Sequence, residues 1–254
     1  MPTRVAWFFV VALGFTWLLQ APAVLAKLGM ISGGEARFGG LAALGAFGPL
    51  VGAVVMSYVE GRWSGVRELF RPSALRRSGW RWLPVALVLF VVVNVAGALV
   101  ARALGWNEVR WVYLPENAQH VAGLVMMPLL EEPGWRGYAQ PRLVARLGVL
   151  RASFVVGVLW AAWHTTMWLM AGLDAAAFAL AAAVVFLGSV PFGWLHRRSQ
   201  GSLLVVVVAH VGAHVDNPFR AHPGSLAPLA VEAGALAVTS ALLVVTDREV
   251  FRAP

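Results

Sequence analysis

The chain has 254 residues, of which 59% are hydrophobic and 13% charged, and its mean hydropathy is +0.73. A soluble domain carries about 25% charged residues, so this composition argues against a soluble globular fold. The formal net charge of +8 could indicate nucleic-acid binding, but the arginines cluster in short loops between apolar runs, which is typical of a multi-pass membrane protein with no nucleic-acid partner.

Eight apolar runs are candidate membrane spans, because each approaches the roughly 20 residues that a transmembrane helix needs. They lie at residues 5–26, 38–58, 83–104, 118–138, 149–171, 175–195, 201–217 and 226–246. The sequence therefore predicts an all-α, polytopic helix bundle of about eight transmembrane helices, with residues 1–254 forming a single integral membrane domain. The chain has no cysteine, which excludes disulfides, thiolate metal sites and a cysteine nucleophile.

The basic residues predict the orientation of the bundle in the cell's inner or plasma membrane. Six arginines lie between residues 59 and 82, and further arginines follow the fourth, sixth and last spans. With eight spans these all fall on one side, so both termini are predicted to be cytoplasmic. An alternative is that Arg4, the first apolar run and Ala23–Ala26 form a cleavable signal peptide. The length of that run favours a retained anchor.

The fourth span ends in a charged cluster, Glu131-Glu132-Pro133-Gly134-Trp135-Arg136. A charge at the bilayer centre costs roughly 2.5–3.5 kcal/mol on insertion scales, so such residues need a reason. Glu132 and Arg136 have the i,i+4 spacing of an intrahelical ion pair, which would leave Glu131 free for another task. Pro133 removes a backbone donor and should loosen the helix. The alternative is that both acids simply lie near the cytoplasmic interface, solvated and paired with arginines.

Two later spans carry histidines at helical spacing. Trp160 and His164 share one face of the fifth span, and His210 and His214 share one face of the seventh. Counting 1.5 Å per residue places these imidazoles and the Glu131 carboxylate at overlapping depths, on three different helices. Each histidine alone could simply bond a neighbouring helix, but together they predict a shared polar site.

A carboxylate and imidazoles in a membrane cavity suit the activation of water for peptide hydrolysis without a covalent nucleophile. Other membrane-protease chemistries have little support. The chain contains no HExxH motif, so the usual zincin arrangement is absent, and none of its three aspartates lies clearly in the middle of a span.

Three motifs resemble those of one family. EEPGWRGYAQPRL at 131–143 resembles the EExxxR motif of the CAAX prenyl endopeptidase and bacteriocin-processing family (CPBP, also called Abi). WAAWH at 160–164 resembles its FxxxH motif, and HVGAH at 210–214 resembles its HxxxN/D motif. Order and spacing agree, and the resemblance covers a catalytic core at about residues 125–217.

The resemblance implies an all-helical intramembrane endopeptidase whose site opens to the cytosol. If the roles of the family's motif residues apply to this chain, Glu131 would be the catalytic base, and Glu132 with Arg136 would hold it in position. His164 would help to activate water, and His210 would contribute to the oxyanion site. The family has been described both as metal-dependent and as a metal-free glutamate-type protease, so the resemblance leaves the cofactor open.

The chain departs from the family pattern at two positions. Trp160 replaces the usual Phe, which adds an N–H donor and keeps a packing role. His214 replaces the usual Asn or Asp, and a neutral imidazole could still donate one hydrogen bond to an oxyanion. The His210–His214 spacing is also that of zinc ligands, so Glu131, His210 and His214 could form a zinc site completed by water.

Two other functions remain open at this point. A non-catalytic immunity or peptide-binding protein could keep the fold, and the altered position 214 favours it. A proton-coupled transporter could use Glu131 and the histidines as a relay, although no inverted repeat is visible. For the leading prediction, a protease, the partners are a peptide or membrane-anchored protein substrate and the lipid bilayer.

Overall fold

The computed structural model describes residues 3–71, 77–106, 117–214 and 226–252, and every regular element among them is helical. The all-α prediction is therefore confirmed. The last residues of the predicted span 201–217, and with them the end of the predicted core 125–217, lie outside the described residues. The helices are α1 (Thr3–Lys27), α2 (Glu35–Gly45), α3 (Gly48–Leu69), α4 (Arg77–Trp80), α5 (Leu83–Ala103), α6 (Ala118–Glu132), a π-helical segment π1 (Pro133–Ala139), α7 (Gln140–Ala171), α8 (Ala175–Arg198), α9 (Leu203–His214), α10 (Ala227–Thr246) and α11 (Arg248–Phe251).

In the described part of the chain, five helices are long and apolar enough to cross a membrane, or six if a bent pair is one span. The bent pair is Arg37–Gly45 with Gly48–Leu69, which meet at 44° where the sequence predicted one span at 38–58. The protein is thus a multi-pass membrane protein, while the count of eight remains a prediction.

Two features account for the lower count. Residues Ala118–Ala171 run as 54 consecutive helical residues, which would extend about 80 Å if straight, against a hydrocarbon core of about 30 Å. This run contains a break at Gly148 (φ 74°, ψ 170°), between the predicted spans 118–138 and 149–171. The predicted seventh span appears as α9, which has only 12 described residues.

Close helix packing brings α3 and π1 together around α1. A Cβ atom at Gly48 would clash with Thr16 Oγ1, and one at Gly52 would lie 3.1 Å from the Phe8 carbonyl oxygen. A Cβ at Gly134, in π1, would lie 2.6 Å from the Pro49 carbonyl oxygen at the start of α3. Small residues therefore let α3 touch both neighbours, as in other membrane helix pairs, and this contact fixes the position of π1.

Candidate active site

The helix that carries the acidic motif changes its winding directly after the two glutamates. α6 ends at Glu132 and π1 begins at Pro133, where the missing N–H prevents an ordinary i→i−4 bond. The predicted loosening at Pro133 is thus present as a π-helix, a rare winding that is frequent at functional sites. Glu131 is 3% exposed and Glu132 is fully buried, so the alternative of two solvated interfacial acids is wrong.

Glu131 is held by the tryptophan of the second motif. The indole Nε1–H of Trp160, on α7, donates a hydrogen bond of 2.7 Å to Glu131 Oε2. Trp160 is itself 4% exposed. The N–H that distinguishes tryptophan from the usual phenylalanine is therefore used, because it binds one oxygen of the carboxylate and leaves the other for a further partner.

Glu132 forms a buried ion pair and binds a histidine as well. Arg136 Nη1 donates to Glu132 Oε1 over 2.9 Å, as the i,i+4 spacing predicted, and both side chains are completely buried. His210 Nδ1 lies 2.7 Å from the same oxygen. The guanidinium lies 4.4 Å from the ring centre of Trp160 and 4.6 Å from that of Phe192. The pair thus links α6, π1, α7, α8 and α9.

The partners of two histidines determine which ring nitrogen carries the proton. His164 Nδ1 lies 2.9 Å from the carbonyl oxygen of Trp160, which can only accept, so Nδ1 is the donor. His210 Nδ1 faces the Glu132 carboxylate, which also accepts when it is ionised. In the neutral form of each ring, Nε2 then holds the lone pair. Neutral His164 and His210 are thereby prepared to accept a proton or bind a cation.

Residues of the first and third motifs lie close together in the structure. One ligand atom each of Glu131, His210 and His214 lies within 4.8 Å of the other two. The His210 and His214 rings stack with centroids 4.7 Å apart. His164 is outside this group of three, but its ring is 5.8 Å from that of Trp160 and lies within electrostatic range of both α9 histidines. The structure thus brings residues of all three motifs into one buried region.

Two polar residues near this region, Glu60 and Thr16, were not found from the sequence. Glu60, near the end of the straight part of α3, binds Tyr138 and Arg142 beside the acidic motif. Thr16, on α1, accepts a hydrogen bond of 2.6 Å from Trp163 Nε1. The only indication of the Glu60 contacts in the sequence is a glutamate at the edge of an apolar run. The contacts of Glu60 and of Thr16 both join residues that are far apart in sequence.

Comparison with known proteins shows what this region is similar to. Residues 114–215 match the family model described as type II CAAX prenyl endopeptidase Rce1-like. The chain is also 23% identical to CAAX prenyl protease 2 of Methanococcus maripaludis, over an alignment of 148 positions that covers 50% of this chain and 49% of the relative. The chain thus spans about half the length of the curated relative that it matches. Over the segment that carries its three motifs, the chain is therefore similar to CAAX prenyl endopeptidases.

Proposed function

We propose that the protein is an intramembrane endopeptidase that hydrolyses a peptide bond with water activated by Glu131. The observation that carries this proposal is the position of the buried Glu131 carboxylate next to His210 and His214. One ligand atom from each of these three residues lies within 4.8 Å of the other two. Buried ionisable groups inside a membrane protein are costly and usually functional. The family match supports the same reaction class.

The proposed reaction follows from the hydrogen bonds at Glu131. The carboxylate accepts a proton from water while the water oxygen bonds to the peptide carbonyl carbon. Glu131 then returns that proton to the amine nitrogen as the C–N bond breaks. Trp160 orients the carboxylate through its 2.7 Å hydrogen bond, and His164, with its Nε2 lone pair, can share the proton.

The roles of the α9 histidines depend on their protonation. The Nδ1 atom of His210 is bonded to Glu132, so the neutral ring has a lone pair at Nε2. His210 could therefore donate a hydrogen bond from Nε2 to an oxyanion only after gaining a second proton. We therefore assign His210 first as an acceptor that Glu132 orients, and His214 as the candidate oxyanion donor. Carboxylate–histidine pairs of this kind also orient metal-ligating histidines.

A zinc ion fits the same donor set. Glu131, His210 and His214 supply one carboxylate and two imidazoles, which is a common catalytic zinc composition. One donor atom from each of these residues lies within 4.8 Å of the other two, so the three side chains could hold one cation between them. A bound zinc ion would polarise the substrate carbonyl and lower the pKa of water.

Metal analysis tests the zinc site directly. Purified protein should contain near-stoichiometric zinc, and His214→Ala should remove it, because two protein ligands rarely retain the ion. The measurement is elemental analysis after exhaustive dialysis, with a chelator-treated sample assayed in parallel. Metal-free protein with full peptidase activity would dispose of the zinc site while leaving the Glu131 reaction intact.

The basic end of the bundle supports the predicted orientation. Arg4 on α1 interacts electrostatically with Glu60 on α3, and Arg198 at the end of α8 pairs with Asp247 after α10. Basic residues also lie at the end of α3, where Arg67 is in the last turn, and directly after α10, where Arg248 begins α11. We propose that this end faces the cytoplasm, as the positive-inside rule requires. Reporter fusions to the two termini, active only inside or only outside the cell, test the orientation.

The substrate that we propose is a peptide or a membrane-anchored protein. The first probe is a fluorogenic peptide with a prenylated cysteine near its C-terminus, because the matched relative is named a CAAX prenyl protease. Comparing the membrane and surface peptides of cells that express wild type or Glu131→Gln extends the search to unprenylated substrates.

The decisive variant is Glu131→Gln, which keeps the shape of the side chain and removes its basicity. We expect cleavage to fall below detection while insertion and folding persist, with the exposed Glu68→Gln as the matched control. Cleavage by Glu131→Gln at the wild-type rate would refute the assignment. Unchanged biological activity without any cleavage would favour a peptide-binding or immunity protein, and pH-dependent uptake in proteoliposomes would favour a transporter.

A further inference from the structure

A second polar cluster lies at the far end of the π-helical segment. Tyr138 Oη donates a hydrogen bond of 2.6 Å to Glu60 Oε1, and Arg142 Nη2 donates one of 2.6 Å to Glu60 Oε2. Arg142 Nη1 also donates to the Tyr138 carbonyl oxygen over 2.9 Å, and its guanidinium lies 3.8 Å from the Tyr138 ring centre. We call these three residues the Glu60 clamp. Both carboxylate oxygens of Glu60 are therefore hydrogen-bonded to residues that follow Glu131 and Glu132 in the chain.

The clamp and the candidate site lie at opposite ends of π1. At its start, Glu132 is joined to Arg136 and His210. At its end, Tyr138 is joined to Glu60, 78 residues away in sequence. A π-helix is rarely stable by itself, so tertiary contacts at both ends must maintain its winding.

The clamp forms only with the π-helical winding. If residues 133–139 rewound as an α-helix, the residues at one end would shift by about one position relative to those at the other. That shift is about 1.5 Å along the axis and 100° around it. Tyr138 could then no longer bind Glu60 while Glu132 stayed bound to His210. Each hydrogen bond tolerates a change of only a few tenths of an ångström in the distance between donor and acceptor. The two ends are coupled through the winding of π1.

The backbone of α3 shows that Glu60 has a defined position. The helix breaks directly after it, with Gly61 at φ −142° and Arg62 at φ 53°, ψ −144°. Positive φ in a residue other than glycine is strained and persists only where the surrounding structure holds it. The break ends the straight part of α3 at Glu60, beside Tyr138.

We propose that Glu60 is a positioning residue: through Tyr138 it selects the π-helical winding that aims Glu131 and Glu132 at Trp160 and His210. This inference rests on the proposed peptidase function. Both carboxylate oxygens of Glu60 bind Tyr138 and Arg142, so its effect on Glu131 is transmitted through π1.

The activity test separates the clamp from general stability. Tyr138→Phe removes one hydroxyl, and we expect kcat to fall by about 10- to 100-fold with KM nearly unchanged, since small misplacements of a catalytic group have this effect. Glu60→Leu should match it. Glu60→Gln should retain more activity, because its amide oxygen still accepts from Tyr138. The double variant Glu60→Leu/Tyr138→Phe should be no slower than either single variant.

A second readout does not depend on activity. In hydrogen–deuterium exchange, Tyr138→Phe should speed exchange across residues 131–139 while α10 exchanges as in wild type. Glu68→Gln, an exposed acid farther along α3, should leave both regions unchanged. Unaltered exchange at 131–139 together with wild-type kcat in Tyr138→Phe would overturn the proposal. A uniform rise across all helices would also overturn it, since it would show a structural role only.

The two readouts distinguish failure of this inference from failure of the proposed function. If the wild-type protein cleaves no peptide but Tyr138→Phe still loosens residues 131–139 alone, then the clamp positions π1 and the peptidase assignment is wrong. If the wild type cleaves and the clamp variants do so equally well, then the peptidase assignment stands and Glu60 has no positioning role.

Discussion

Replacing Arg136 with methionine should destabilise the protein far more than replacing an exposed arginine. Arg136 and Glu132 are 2.9 Å apart and completely buried. Two unit charges at that distance attract by about 6 kcal/mol at an effective dielectric constant of about 20, which offsets the loss of hydration. Methionine keeps the apolar stem but leaves the Glu132 charge without its cation, and such breaks cost about 3–5 kcal/mol.

The chain offers a matched control on its surface. Arg71 and Glu68 form an ion pair at 3.2 Å, but their side chains are 72% and 70% exposed. Arg71→Met should therefore cost at most about 1 kcal/mol. The assay is the free energy of unfolding of both variants in the same detergent, by denaturant titration followed through tryptophan fluorescence.

A double variant identifies the cause. If the unpaired Glu132 charge is responsible, then adding Glu132→Leu to Arg136→Met should recover part of the lost stability, because two apolar groups can replace a buried pair. The reasoning is refuted if Arg136→Met costs no more than Arg71→Met, or if the second substitution adds a full further loss.

Two further predictions concern other parts of the bundle. The pKa of Asp247, which lies outside the membrane-spanning segments, is held below its usual range chiefly by the hydrogen bond from Arg198. Its contribution to stability should be complete above about pH 4 and lost as the pH falls through the folded pKa; acid titration of unfolding should show a smaller loss in Asp247→Asn, and an equal loss would contradict this. Gly134→Ala should lower the unfolding temperature, because its Cβ would lie 2.6 Å from the Pro49 carbonyl oxygen. Gly14→Ala, whose Cβ would meet nothing within 4 Å, is its control, and equal unfolding temperatures for the two variants would show that π1 can move away from α3.

Local features of the site followed from spacing alone. The Glu132–Arg136 pair was predictable because residues four apart share a helix face. The altered winding at Pro133 was predictable because proline lacks the N–H that the helix needs. Apolar composition likewise predicted a multi-pass helical protein. The number of spans remains a prediction, because hydropathy finds apolar runs and does not show whether neighbouring runs join in one helical stretch, as in Ala118–Ala171.

Contacts between distant segments needed the fold. The sequence marked Glu131, Trp160 and His210 as polar or aromatic groups at similar depths, but periodicity does not fix how three helices rotate against each other. The bond from Trp160 to Glu131 spans 29 residues, and that from His210 to Glu132 spans 78. Which glutamate each residue binds was therefore open until the helices were packed.

By itself the sequence determined that the chain is a helical membrane protein and that its polar groups stand at helical intervals inside apolar runs. These properties depend on the cost of burying charge and on the 3.6-residue helical repeat, which act along a single segment. Only the tertiary structure decided that Glu132, rather than Glu131, holds His210, and that Glu60 reaches Tyr138 across the bundle. Those pairings depend on close packing between helices, where small residues such as Gly48 and Gly134 permit approach, and no single segment encodes that geometry.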